Sequence, residues 1–141
     1  MELNLEAARH MIAVAMQTGH ERGMKPLCVV VLDAGGHPLA FERADGASPG
    51  RFEIARAKAY GAVMLGMGGT AQLARAEAQA FFMAAVNGVF DGRVLPVPGG
   101  VLVRDAAGKV IGAVGVTGDT SDNDAFAALA GIAAAGLTGE A

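Results

Sequence analysis

The sequence predicts one α+β domain, an antiparallel sheet flanked by helices. Two observations lead there. Apolar runs are paired across short glycine-bearing turns at two places, which makes two hairpins and therefore antiparallel pairing. Stretches with a 3.6-residue apolar period precede, separate and follow these hairpins. The 141 residues fit a single core, and neither an internal repeat nor a linker long enough to separate domains is present.

Taken in order, residues 4–21 read as a helix. Ala8, Met11, Ile12, Ala15 and Met16 recur on one stripe, Asn4 can cap the start, and Glu6 lies where the helix dipole favours a carboxylate. Residues 27–33 (LCVVVLD) form a continuous apolar run, too short for a free-standing helix and rich in β-branched side chains, hence a buried strand. Ala34-Gly35-Gly36 supplies the turn. Residues 37–43 return as the second strand, with Pro38 marking an edge position or a bulge.

Ser48 as cap and Pro49 as first helical residue start a helix running to about Leu65, with Phe52, Ala55, Ala59, Ala62 and Val63 inward. A Thr70 cap opens a further helix over residues 71–86, which ends at Asn87-Gly88. Beyond the Pro/Gly-rich residues 94–100, residues 101–104 and 110–116 pair around the turn 105–108. Ser121 caps the last helix with Asp124 in a capping-box arrangement. Its buried stripe is Phe126, Leu129, Ala130, Ala133 and Leu137.

Composition bounds the function. The chain is 52% hydrophobic but only 5% aromatic, without Trp and with 21 glycines, so its core is built from small aliphatic side chains packed closely. At 18% charged residues, a domain this small leaves apolar surface for a subunit interface, and a homo-oligomer is expected. The net charge is -3 with scattered basic residues, which argues against nucleic acid as a partner. No run approaches the ~18 apolar residues of a membrane span. Glu2 and Glu6 stand where a secretory signal would be basic, so the cytoplasm is the expected location. The single Cys28 excludes an intrachain disulfide and a multi-cysteine metal site, and in its apolar run it reads as a buried structural thiol.

Four local signatures then occur in order. They are VVVLDAGGHPLAFERADGA (29–47), the AxxKA element at Ala55–Ala59 with Lys58 as its lysine, the turn Pro98-Gly99-Gly100, and VIGAVGVTGDTSDNDAFA (110–127). Together the chain resembles the GlcG/HbpS-like family, which includes the C-terminal domain of PduO-type corrinoid adenosyltransferases. The resemblance implies a profilin-like three-layer sandwich, a five-stranded antiparallel sheet with helices on both faces. It also implies assembly into dimers or rings, and for several members haem or iron binding. Residues 67–94 are more helical and Ala-rich than this pattern, and Val101–Arg104 follows the PGG turn where a proline and a shorter apolar element are usual.

Candidate chemistry sits at few positions. His37, after the Gly-Gly turn, can ligate haem iron or bond to local backbone. His10 and His20 lie ten residues apart on one helix, about 80° out of alignment, so they cannot clamp one metal; His20, near the helix end, is the better single axial ligand. Arg51 and Lys58, seven apart, share a helix face and can hold a carboxylate such as a haem propionate, or can form a solvated face. Thr117-Gly118 leads into a helix N-terminus, a natural anion site, though Asp119, Asp122 and Asp124 oppose a phosphate. Gly99 and Gly100 allow a ligand close to the main chain, or simply a tight strand entry. Gly-x-Ser-x-Gly and HExxH motifs are absent.

These residues support a small-ligand binding protein of the GlcG/HbpS type, with haem or another tetrapyrrole as ligand and no other cofactor. The alternative is a catabolic enzyme acting by proton transfer on a small carboxylate or hydroxylated ring, like a tautomerase or hydrolase. There Lys58 would orient the acid, and Asp124 or His37 would move the proton. A third reading is a purely structural assembly subunit.

Overall fold

The structure, a computed structural model, describes residues 1–141. The elements follow as α1 (Leu5–Glu21), β1 (Cys28–Asp33), β2 (Pro38–Arg43), α2 (Arg51–Leu65), α3 (Gly69–Ala78), α4 (Ala80–Val89), β3 (Gly100–Arg104), β4 (Val110–Thr117), α5 (Ser121–Ala134) and β5 (Thr138–Glu140). The strands form one antiparallel sheet in the order β2-β1-β4-β3-β5. Helices α1 and α5 cover one face and α2 the other, giving the three-layer profilin-like arrangement.

Side-chain alternation sorts the core. Val29 and Val31 of β1, Val101 and Val103 of β3, and Val114 and Val116 of β4 join Met11, Ile12, Ala128 and Ile132 beneath α1 and α5. Cys28, Val30 and Leu32, with Leu102 and Ala113, face α2. Central strand β1 is thus buried on both sides, which is why its apolar run is unbroken. Pro38 opens edge strand β2, and the register shifts between Val31 and Leu32 opposite it, so both readings of that proline hold.

Helix α2 lies unusually close to the sheet. Gly100 and Gly115 are directly paired, and a Cβ on either would run into the backbone of Lys58 or Ala55. Two missing side chains therefore seat the α2 backbone on β3 and β4.

Several local expectations need correction. Asn4 caps α1 as expected, its side chain accepting from Ala7 N–H. Helix α2, however, begins at Arg51 behind Gly50, and no side chain caps it; Ser48 only closes a preceding turn through its carbonyl. Thr70 is no cap either, because Gly68 and Gly69 pack against the backbones of Ala141 and Val97 and the helix starts there. The single helix expected over 71–86 is two, broken at Gln79 (φ -139, ψ 62). In α5 the cap is Thr120, whose Oγ1 accepts from Asn123 N–H; the Asp124 carboxylate is turned to other partners. Phe126 is 45% exposed, with the Arg22 guanidinium over its ring, and Leu137 lies past the helix end.

Candidate functional site

At the end of the sheet where β1 and β3 begin and β4 finishes, most of the singled-out residues meet. Lys58 Nζ donates to Asp124 Oδ2 at 3.1 Å and to the Val116 carbonyl at 3.1 Å. The two residues are 3% and 1% exposed. The Pro98-Gly99-Gly100 turn wraps this ammonium. Gly99 has φ +117, and a Cβ there would stand 2.9 Å from Lys58 Nζ and 2.6 Å from the Val116 carbonyl oxygen, so only glycine fits. Thr117 Oγ1 accepts from the Arg51 guanidinium at 2.9 Å. Gly118 (φ +143) passes against the Pro26 carbonyl.

The carboxylates extend the network. Asp124 Oδ1 accepts from Asp119 N–H at 3.0 Å. Asp119 in turn accepts from Lys25 N–H at 3.0 Å and from the Asn123 side chain at 2.7 Å. Those hydrogen bonds, from Lys25 first and then Asn123 and Thr120, hold the Asp119 carboxyl at a pKa of about 2. Burial lowers the Lys58 pKa, against the pull of Asp124. Burial raises that of Asp124, against the pull of Lys58. Burial also pushes the Cys28 thiol up to about 11, the mark of an inert structural cysteine.

The charges are not equally available. Lys58 is neutralised internally. Arg51, half-buried beside it, pairs with no carboxylate and stands at the uncapped N-terminus of α2. An incoming carboxylate would therefore meet Arg51 and the positive end of a helix before it met Lys58.

The histidines stand apart from this cluster. His10 Nε2 lies 3.2 Å from the Ala134 carbonyl. His37 is exposed at the β1–β2 turn, its ring against Gly35. That turn is at the far end of β1, roughly 17 Å along the strand from Cys28, which pairs with Thr117. His20 ends α1 on the opposite face of the sheet from Lys58, beside a cavity of ≈ 270 Å³ walled by Met16, Met24 and Leu27, with Lys25 and Asp45 at its rim. Two further cavities lie elsewhere. One of ≈ 390 Å³ sits by the N-terminus and the β1–β2 turn, and a shallow one of ≈ 580 Å³ lies between α1 and edge strand β2. No three His, Cys, Asp or Glu side chains converge as a metal site. Sequence reasoning missed Lys25 and read Asp119 only as a charge opposing a phosphate, because only folding joins these two residues, so far apart in the chain.

The family model described as haem degrading protein HbpS-like matches residues 3–133. The chain belongs to the HbpS-like family. No functionally curated protein matches it. Among solved structures it is similar to HbpS, at 29% identity over 94% of this chain and 89% of that one, with a TM-score of 0.82. It is also similar to the protein ORFY of Klebsiella pneumoniae, at 25% identity over 96% and 92%, TM-score 0.84. PduOC in complex with haem shares 22% identity over 97% of both chains, TM-score 0.86, a likeness of fold. The sequence resemblance to the GlcG/HbpS-like family is thereby shown. No helix is long and apolar enough to cross a membrane.

Proposed function

We propose that this chain binds haem or another tetrapyrrole, with His20 as the iron ligand, and that copies of it associate. One observation carries the reading: His20 opens on a cavity whose other walls suit the ligand. An imidazole suits iron, Met16, Met24 and Leu27 suit the face of an aromatic macrocycle, and the Lys25 ammonium suits a propionate. The haem complex of PduOC and the haem-degrading description of the family support the same chemistry. Haem would supply a redox-active iron; His20 would hold it through an imidazole nitrogen, and Lys25 would meet its charge. At ≈ 270 Å³ the cavity is below the ~300–1,000 Å³ of sites that enclose a drug-sized ligand, so it would not enclose the whole macrocycle.

Arg51, at the sheet end outside that cavity, is a second cation that could take a carboxylate. Lys58 and Asp124 act behind it, fixing Thr117, Gly118, Gly99 and Gly100 in place. The test is a haemin titration followed at the Soret band. The wild type should give a saturable shift at one haem per subunit, His20→Ala should lose it, and His37→Ala should keep it. Loss in His37→Ala alone would move the iron to the hairpin turn. A featureless response in all three proteins would overturn haem binding.

The alternative, a proton-transfer enzyme of small carboxylates, is favoured by the contact between Lys58 and Asp124, whose opposed pKa shifts narrow the gap for a proton to move between them. It requires the site to open, since both side chains are closed to solvent. Lys58→Met with the fold intact should abolish turnover of any acid that stabilises the protein thermally; unchanged turnover removes Lys58 from the chemistry.

A further inference from the structure

Between Glu77 and Asp91 the sequence carries no charged residue, yet most of that stretch is helix α4 on the surface. Met83 and Val86 turn inward. The outward arc, roughly 200° wide at 100° per residue, holds Ala80, Phe81, Phe82, Ala84, Ala85, Gly88 and Val89, all exposed. Phe81 is 77% and Val89 73% exposed. A surface helix ordinarily presents charged or polar side chains on this side, and one that is apolar all round is a buried helix.

We propose that α4 packs against α4 of a second copy, antiparallel about a two-fold axis. The inference deepens the self-association stated above by naming its surface. The argument is shape. Two ridges run side by side on the exposed arc, one small (Ala80, Ala84, Gly88) and one with large ends (Phe81, Ala85, Val89). Antiparallel pairing centred between Ala84 and Ala85 sets Phe81 opposite Gly88 of the second copy, Val89 opposite its Ala80, and Ala85 opposite its Ala84. Every large side chain then meets a small one, and by symmetry the fit is satisfied twice. The notch is open: a Cβ added at Gly88 would meet nothing within 4 Å. Phe82 marks the rim, already covered by the Arg75 guanidinium 4.1 Å from its ring. A lipid surface fits less well, since interfacial helices carry Lys or Arg beside their apolar face and this one has neither.

The area sets the strength. Taking ~200 Å² for a fully exposed Phe side chain, the arc offers roughly 400 Å² per copy, so the pair buries about 800 Å². That is under the ~1,200 Å² at which standard specific interfaces begin. The contact is therefore smaller than a standard interface, and we expect a reversible dimer that dissociates on dilution across the micromolar range.

Sedimentation velocity across that range tests it, on wild type, Phe81→Glu, Gly88→Gln and Phe126→Glu, each checked for fold by circular dichroism. Phe81→Glu should raise the dimer dissociation constant at least tenfold. Gly88→Gln, which nothing in the single chain opposes, should do the same by filling the notch. Phe126→Glu, an equally exposed phenylalanine on α5, should leave it unchanged. A wild type that self-associates with all three variants unaffected overturns the α4 surface while association itself stands. A wild type that remains monomeric throughout overturns both, even if Phe81→Glu proves to weaken haem binding.

Discussion

Asp124→Asn exposes what the buried pair does. The amide keeps an oxygen for Asp119 N–H, so the loop contact at 3.0 Å survives, but Lys58 loses its counter-charge at 3.1 Å in a site closed to water. Breaking a buried pair on one side costs about 3–5 kcal/mol, whereas replacing both partners by apolar or neutral groups is often nearly neutral. The lysine itself sets a ceiling. It can discard its proton instead, and from an ordinary pKa of 10.5 that costs about 1.4 kcal/mol for each of the roughly 3.5 pH units down to 7, or about 5 kcal/mol. At about 3 °C per kcal/mol for a chain of this size, the melting temperature should fall by roughly 10–15 °C at pH 7. The sign of the pH dependence follows from removing Asp124, whose charge and hydrogen bond hold the Lys58 pKa up against burial, so the lysine loses its proton at lower pH in the variant than in wild type. Between the folded value and 10.5 the unfolded chain binds more protons, so stability rises with pH, at about 1.4 kcal/mol per unit where Lys58 is neutral in the fold. Relative to wild type, the penalty should therefore shrink markedly by about pH 9.5. Lys58→Met/Asp124→Asn should recover most of the loss at pH 7. Thermal melts of the three proteins at both pH values decide it. A single-variant penalty under about 1 kcal/mol, or one that persists unchanged in the double variant, refutes the claim that an uncompensated lysine is its cause.

Two other perturbations follow from the same region. Gly99→Ala should destabilise by about 2–4 kcal/mol in urea unfolding, since it adds a clash with Lys58 and Val116 to the positive-φ strain. Gly108→Ala, where φ is +83 but nothing lies within 4 Å, should show only the strain, about 1 kcal/mol. If the two cost the same, the wrapped lysine is not what excludes a side chain. The Asp119 carboxyl, held at about 2, supports the fold above its ordinary value near 4 and loses that support as pH falls through about 2. Wild type should therefore lose thermal stability across that acid window, and Asp119→Asn should be flatter there and less stable at pH 7; parallel curves would remove Asp119 from the acid transition.

The sequence announces elements whose burial pattern is simple. The unbroken apolar run of β1 reads as a strand because helices cover both its faces, and the stripe on α1 reads as a helix because only one side meets the sheet. Strand β5 carries only Thr138, Gly139 and Glu140, with no alternation to read, and five strands are implied only by family resemblance. The break at Gln79 has no local signal, since glutamine is an ordinary helix former. Hydrophobicity alone places Phe126 inside, although an aromatic ring can lie on the surface beneath an arginine. In the site, seven-residue spacing correctly puts Arg51 and Lys58 on one helix face. It does not show that one cation is neutralised in the interior and the other left free. That distinction depends on Asp124, brought to Lys58 only by the sheet.

The cluster and the cavity lie on opposite faces, yet a continuous path joins them. Lys25, at the cavity rim, donates its backbone N–H to Asp119; Asp119 donates its own to Asp124; Asp124 accepts from Lys58. Each link is a hydrogen bond of a group with few alternatives, because Lys58 and Asp124 are closed to water and Asp119 is held from three sides. The path ends in α2, whose backbone is seated on the sheet only because Gly100 and Gly115 lack side chains. A glycine pair in the sheet thus fixes the height of α2, the height of α2 brings the ammonium to Asp124, and Asp124 fixes the loop that holds Lys25 beside His20. The buried ion pair is then best understood as a spacer: it adds little net stability over an apolar pair, but it sets where the cavity rim stands.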